Sequence, residues 1–170
     1  MDRVIGGLDI DTYTDAPLRF SRAVFFDAPP KALFVAISDH AKLETWMPGV
    51  QRVNLNRGHA GVYNGVGTIR YLLYSGLYTV REYIIAYDPP RLIAYSIEEN
   101  PFIIDHVSVI LLQPERYGGT YLVWQHYFRT SVLPVLTQPL ANLVFQTLYA
   151  GALRVLIQHF GGKFIQSFPG

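Results

Sequence analysis

The chain of 170 residues has the length of one domain and is long enough to bury a substantial core. Half of its residues are hydrophobic and only 16% are charged, which excludes a disordered chain or an acidic solvating segment. The net charge is +1 and there is no basic run, so we expect no nucleic-acid partner.

Several kinds of chemistry are excluded by missing residues and motifs. No cysteine is present, which removes disulfides, thiolate metal sites and cysteine nucleophiles. The five histidines show no metal-ligand spacing, and there is no phosphate loop, GxSxG or dinucleotide motif, so we expect no metal and no cofactor. The N-terminus is rich in aspartate and lacks the apolar run of a signal peptide, which favours a soluble, cytoplasmic protein.

The chain is predicted to form one domain preceded by an arm. Residues 1–17 are polar, contain glycine and are expected to be poorly ordered, whereas residues 18–170 contain no repeat and no linker. The first strand is predicted at 18–27, LRFSRAVFFD, because Phe and Val favour strands.

Two short helices are predicted after this strand. The pair Pro29-Pro30 opens the first, KALFVAIS, because proline's fixed φ suits a first helical turn. Asp27 is expected to cap its free N–H groups. Asp39 is expected to cap the second helix, HAKLETW, which ends before Pro48.

The middle of the chain is predicted to be a run of strands, because its segments are β-branched and aromatic and are separated by Gly, Pro, Asn and Asp. The predicted strands are 50–57, 67–74, 78–87, 91–98, 103–113 and 120–130.

The stretch 130–153, TSVLPVLTQPLANLVFQTLYAGAL, has 24 residues without a formal charge, the length of a membrane span. Two internal prolines oppose a span, and Asn142 and Gln146 lie on one helical face opposite Phe145. An amphipathic helix from about Pro139 to about Phe164 is therefore favoured, and no stable membrane span is expected.

This order of elements predicts an α+β, helix-grip architecture. A curved antiparallel sheet of about seven strands would wrap around the long C-terminal helix, because that arrangement buries both. An incomplete wrap leaves a cavity between the sheet and the helix that suits an apolar ligand.

One charge pair indicates a strand register. If Ser75-Gly76-Leu77 is a three-residue hairpin loop, Arg70 faces Glu82 and Leu72 faces Val80. A two-residue loop would set Arg70 against another arginine, so the longer loop is favoured. Periodicity leaves open whether the pair points to solvent or into the cavity.

One predicted strand carries a histidine on an apolar face. His126 and Trp124 share this face with Leu122 and Phe128. A lone histidine there is more often a hydrogen-bonded core residue than a catalyst. His106 is less informative, because the facing of its strand is ambiguous.

Several segments together resemble the START-like polyketide cyclase/dehydrase and lipid-transport superfamily, SRPBCC. They are FDAPPKALFVAISDHAKLETWMPGV, GVGTIR, REYIIAYDPPRLIAYSI, GGTYLVWQHYF and the terminal helix, spanning roughly residues 18–165. The resemblance implies a helix-grip fold with a deep cavity. It implies binding of polyketides, sterols, lipids or plant hormones, or cyclisation of aromatic precursors without a cofactor.

The resemblance also implies site residues. GTIR is similar to a strand of plant abscisic-acid receptors whose arginine lies near the cavity mouth, which makes Arg70 a candidate, and REYIIAYD implies that Glu82 points inward. The receptors' gate and latch loops are missing, which opposes hormone reception. The resemblance also places Tyr95, Ile97, Trp124 and His126 on pocket-lining positions. The other candidate ligand-binding residues come from the pattern of the helix and strands, and they are Leu72, Val80, Ile84, Phe128, Phe145, Leu148, Tyr149, Ala152 and Leu156.

Two main functional hypotheses follow. In the first, the protein binds a hydrophobic small molecule that Arg70, Glu82 and His126 orient. In the second, it is a cofactor-independent cyclase or aromatase. There, His126 or Glu82 removes a proton next to a carbonyl, and Arg70, Tyr95 or Tyr149 stabilises the enolate. A regulatory or interaction role and a homodimer through an exposed aromatic sheet face are also considered.

Overall fold

The strands lie close to where the sequence predicts them. The computed structural model describes residues 3–165, and predictions for residues 1, 2 and 166–170 lie outside the described residues. The strands are β1 Val4–Ile5, β2 Leu8–Asp9, β3 Leu18–Phe26, β4 Val50–Asn56, β5 Ile69–Tyr74, β6 Tyr78–Asp88, β7 Leu92–Glu98, β8 Ile103–Pro114, β9 Thr120–Thr130 and β10 Lys163–Ile165.

Eight of these strands form one antiparallel sheet in the order β10-β3-β9-β8-β7-β6-β5-β4. The predicted α+β class and helix-grip arrangement are confirmed, with one strand more than the seven predicted. The additional strand is β10, which pairs with β3 at the edge of the sheet. β1 and β2 form a separate hairpin.

The helices differ from the prediction at their ends. They are α1 Pro30–Ser38, a 3₁₀ helix His40–Thr45 and α2 Pro134–Phe160. The predicted Asp27 cap is wrong, because Pro29 occupies the N-cap of α1 and no side chain caps it. Asp39 does occupy the N-cap of the 3₁₀ helix, but its side chain makes no capping hydrogen bond.

The predicted bounds of α2 are also wrong, because the helix begins one turn earlier and ends sooner. Pro139 lies inside it, where its missing N–H leaves the carbonyl of Val135 without a helical donor. Val135 is 88% exposed, so water can bond that carbonyl and the proline is tolerated. Gly161 ends the helix with φ 72°, a left-handed conformation that favours glycine.

The long apolar helix packs into the domain. α2 is long and apolar enough to cross a membrane by length and composition. Its buried side chains nevertheless join those of the sheet in one hydrophobic core, so α2 is the core helix of this fold. They are Phe145, Tyr149, Ala152, Leu153 and Leu156.

Both faces of the sheet carry buried side chains. Alternate residues of a strand point to opposite sides, so one strand contributes to both faces. We call the face that packs against α2 the inner face. Trp124 and Phe128 of β9 lie on it, and Tyr127 between them belongs to a second cluster on the outer face.

The N-terminal arm covers part of the outer face rather than standing apart from the domain. Ile10 is fully buried there. Arg129 of β9 holds the arm from the sheet side, because its Nη1 lies 2.7 Å from Asp15 Oδ1 and 2.9 Å from Asp105 Oδ2.

Candidate functional site

The hairpin of β5 and β6 carries the only two charges of the predicted site. Arg70 pairs with Glu82, Leu72 with Val80 and Tyr74 with Tyr78, so the register predicted from the charges is confirmed. The loop between the strands has three residues, and Gly76 adopts φ 70° within it.

The Arg70–Glu82 pair points inward, which decides the alternative that periodicity left open. The two side chains are 4% and 2% exposed, and Arg70 Nη2 lies 2.5 Å from Glu82 Oε2. Burial raises the pKa of Glu82, and the guanidinium of Arg70 opposes that shift. The pair is therefore a compact dipole inside an apolar core.

His40 completes the surroundings of Arg70, although the sequence did not predict it as a site residue. Its Nε2 lies 3.0 Å from the carbonyl of Asn64, so Nε2 carries the proton. Its Nδ1 then accepts from Arg70 Nη1 at 3.3 Å. Burial and the charge of Arg70 lower the pKa of His40 to about 3, which keeps the ring neutral.

A second polar cluster lies on the inner face at β8 and β9. The backbone N–H of Ile97 donates to His106 Nδ1 at 3.0 Å, which leaves the proton of His106 on Nε2. That nitrogen lies 3.1 Å from His126 Nδ1, which must accept. Burial lowers the pKa of His106 to about 3 and that of His126 well below its ordinary value. Both rings are therefore neutral.

A β-bulge explains why His106 was not identified from the sequence. The ladder between β8 and β9 shifts register between Ile104 and Val107. Asp105 adopts φ 54° at this point, and its carboxylate contacts Arg129 on the outer face, while His106 contacts His126 on the inner face. No local signal marks the bulge, because an aspartate in a left-handed conformation is not a strand motif.

Ser108 links the two clusters. It lies 2.8 Å from Trp124 Nε1, which donates to it, and 3.5 Å from His126 Nε2. The hydroxyl of Tyr95 hydrogen-bonds to both Ser108 and Tyr149. The ring of Tyr95 lies 4.5 Å from the guanidinium carbon of Arg70, a cation–π contact that reaches the first cluster.

The apolar candidates predicted from the sequence all lie in the inner core cluster, but they pack together rather than line an open cavity. The fully or nearly fully buried ones are Leu72, Ile84, Tyr95, Trp124, Phe128, Phe145, Tyr149, Ala152 and Leu156. Val80, Ile97 and Leu148 are partly buried and pack against them.

The space enclosed between the sheet, α1 and the segment from the 3₁₀ helix to Met47 is small. Its volume is about 10 Å³, enough for a group the size of one water molecule. Arg70, Tyr95 and Trp124 line it, together with residues of α1 and the 3₁₀ helix. Trp46 also lines it and was not predicted from the sequence. The deep cavity predicted from the fold is therefore closed in this structure.

Two surface grooves lie on either side of the segment from Trp46 to Gly49. One, of about 530 Å³, is bounded by Pro48, Gly49 and the middle of α2 around Leu148. The other, of about 370 Å³, is bounded by α1, Trp46 and the end of α2 around Leu156. Trp46 lines both the second groove and the enclosed space, and its neighbour Met47 also lines that space.

Residues 17–161 match the family described as polyketide cyclase/dehydrase and lipid transport. The chain belongs to this family. No curated protein matches it. Members of the wider START superfamily share its fold, because a START superfamily protein from Mycobacterium smegmatis superposes with a TM-score of 0.65 at 13% identity, covering 83% of this chain and 95% of that one.

Two other solved structures are similar. The protein XoxI from Bacillus cereus has a TM-score of 0.69 at 19% identity, over 83% of this chain and 94% of its own. The di-domain ARO/CYC StfQ of the steffimycin biosynthetic pathway has a TM-score of 0.66 at 16% identity, over 80% of this chain and 48% of its own. At these identities the similarity establishes the fold.

Removal of the carboxylate from the buried pair should destabilise the protein strongly. Glu82→Gln leaves the charge of Arg70 buried without a counter-ion, so we expect the free energy of unfolding to fall by about 3–5 kcal/mol. Denaturant titration measures this loss.

The matched control for this substitution is Asp88→Asn. It breaks the exposed ion pair of Asp88 and Arg91, whose side chains are 50% and 49% exposed. The free energy of unfolding should fall by about 1 kcal/mol or less. The double substitution Arg70→Met/Glu82→Leu replaces both charges by apolar side chains and should recover most of the stability that Glu82→Gln loses. Equal losses for Glu82→Gln and Asp88→Asn would contradict a buried, charged pair.

Proposed function

We propose that this protein binds a hydrophobic small molecule, a lipid, polyketide or related aromatic, between the inner face of the sheet and α2. One observation carries the proposal, namely the charged pair Arg70–Glu82 enclosed in a largely apolar interior whose other polar groups are uncharged. A buried ion pair stabilises a fold little compared with apolar residues of the same volume. A few fixed polar groups in an apolar site are what orients a bound ligand.

The family supports the same range of roles. Its description joins polyketide cyclisation with lipid transport, and two similar structures are named as ARO/CYC proteins. Both activities require an apolar molecule inside the fold. Family membership therefore favours a hydrophobic ligand or a cyclase substrate.

Binding in this interior requires the structure to open. Ligand pockets usually measure about 300–1,000 Å³, far above the enclosed volume of about 10 Å³. Trp46 lines both the enclosed space and one groove, and Pro48 and Gly49 border the other groove. Displacement of this segment would join a groove to the interior. Gly49 adopts φ 82° and is a suitable hinge.

The proposed partner is this small molecule alone, bound without nucleic acid, cofactor or metal. A cytoplasmic location stays a prediction, as does the homodimer.

The first half of α2 offers a surface for a dimer contact, because several of its apolar side chains are more than half exposed. They are Val135, Leu136, Leu140, Leu143 and Val144.

Cofactor-independent polyketide cyclisation is the alternative, and one observation favours it. The raised pKa of Glu82 makes its carboxylate a stronger base than a solvated one, and Tyr95 lines the enclosed space together with Arg70, the partner of Glu82. His126 suits the role of base less well. Its Nδ1 accepts from His106 and its Nε2 faces Ser108, so neither nitrogen is free to take a proton.

The binding proposal is tested with the intact chain. Native mass spectrometry of the purified protein should reveal a non-covalently bound apolar molecule. After its removal, the neutral dye Nile red should quench tryptophan emission saturably, because both tryptophans line the enclosed space.

Two variants control this experiment. Ala152→Leu enlarges a fully buried side chain of α2 and should weaken dye binding, whereas Val135→Leu changes an exposed one and should not. A protein that carries no small molecule and shows no saturable quenching would rule out the proposal.

The cyclase alternative predicts loss of turnover at the proposed base. Glu82→Gln should abolish cyclisation of a poly-β-ketone substrate, while His126→Ala should retain part of it if the folded fraction is preserved. Product formation is followed by chromatography, with folding checked by circular dichroism. Unchanged turnover in the folded Glu82→Gln protein would eliminate acid–base catalysis by this residue.

A further inference from the structure

Two buried N–H donors at the enclosed space have no hydrogen-bond partner within residues 3–165. They are Nε1 of Trp46 and Nε of Arg70. These residues are 7% and 4% exposed, and both line the same space of about 10 Å³. Buried donors are nearly always paired, because an unpaired one has lost its hydrogen bond to water without a replacement. Two of them at one small space indicate a site for an acceptor atom.

The remaining nitrogens of Arg70 are already engaged. Nη2 contacts the carboxylate of Glu82 at 2.5 Å, and Nη1 donates to His40 at 3.3 Å. Tyr95 covers one face of the guanidinium. Nε is the one nitrogen of Arg70 that has no partner among the described residues, so it is the donor that a ligand would satisfy.

The charge of the site is already balanced. Glu82 neutralises Arg70, and His40 beside them is neutral. Among the described residues that line the enclosed space, Arg70 is the only one with a charge. A carboxylate placed there would bring a second negative charge close to Glu82 in a buried site, where an uncompensated charge is strongly unfavourable.

We infer that this space receives a neutral carbonyl oxygen, as of a ketone, quinone or ester, from the apolar ligand, with Trp46 Nε1 and Arg70 Nε as donors. The inference rests on the proposed function and specifies its ligand class. A carbonyl oxygen has two lone pairs and no charge, so it accepts both hydrogen bonds without disturbing the ion pair. An apolar acid is selected against by Glu82.

Three matched probes test this inference by competition with Nile red. They are 2-acetylnaphthalene, 2-naphthoate and 2-ethylnaphthalene, which share one ring system and differ in the polar group. The ketone should bind about tenfold more tightly than the ethyl compound, the gain expected from about one net hydrogen bond to a charged donor. The carboxylate should bind more weakly than either.

Substitutions test whether the preference for the ketone comes from the proposed hydrogen-bond donors. Trp46→Phe keeps an aromatic ring but removes the unpaired N–H, and should reduce the preference for the ketone over the ethyl compound several-fold. Tyr117→Phe is the matched control, because it removes a polar group from an aromatic side chain that is 86% exposed and does not line the enclosed space, and it should leave that preference unchanged. Glu82→Gln should raise the affinity for 2-naphthoate relative to the ketone, because it frees the charge of Arg70.

The outcomes are distinguishable. Equal affinity for all three probes would overturn the inference while leaving hydrophobic binding intact, and so would tighter binding of 2-naphthoate to the unsubstituted protein. An unchanged ketone preference in Trp46→Phe would remove Trp46 as a donor and overturn the two-donor site. Failure of every probe and of Nile red to bind would overturn the proposed function itself and this inference with it.

Discussion

The ion pair of Arg70 and Glu82 is the constraint on which the interior depends. Two charges in an apolar core require each other, so β5 and β6 must meet in the one register that brings these side chains together. The same guanidinium needs His40 as an uncharged acceptor and Tyr95 as an aromatic cover. The 3₁₀ helix and β7 are thereby placed around it.

A β-bulge in β8 lies at two residues whose side chains make contacts on opposite faces of the sheet. At Asp105 the chain takes a left-handed conformation, and successive side chains go to opposite sides. Asp105 joins Arg129 and the N-terminal arm on the outer face, while His106 joins His126 on the inner one. Neighbouring residues of β8 therefore contribute to the inner cluster and to the packing of the arm.

Much of the fold follows from local patterns in the sequence. β-branched and aromatic runs between Gly and Pro turns locate the strands, and the charges of Arg70 and Glu82 select the hairpin loop because the other register sets two arginines face to face. The sequence pattern predicts the start of α2 at Pro139, whereas the helix begins at Pro134 and contains Pro139. A proline near an exposed helix end costs less than one in a buried helix.

The site was less predictable than the fold. His40, His106 and Trp46 come together through a 3₁₀ helix, a bulge and long-range packing, none of which has a sequence period. The sequence pattern shows which face of a strand or helix points to the interior. It does not show whether the side chains from opposite elements pack against each other or leave a cavity between them. Here aromatic rings fill it, as the centroids of Trp124 and Tyr149 lie 4.7 Å apart.

The central claim is that a ligand occupies the interior beside the ion pair after the segment from Trp46 to Gly49 moves. A crystal structure of the protein with 2-acetylnaphthalene bound tests this most directly. We expect the ring system between α2 and the inner face, its oxygen within hydrogen-bond distance of Arg70 Nε, and an enclosed volume of a few hundred Å³ instead of about 10 Å³. A ligand held only in an outer groove, with the interior still closed, would contradict the account.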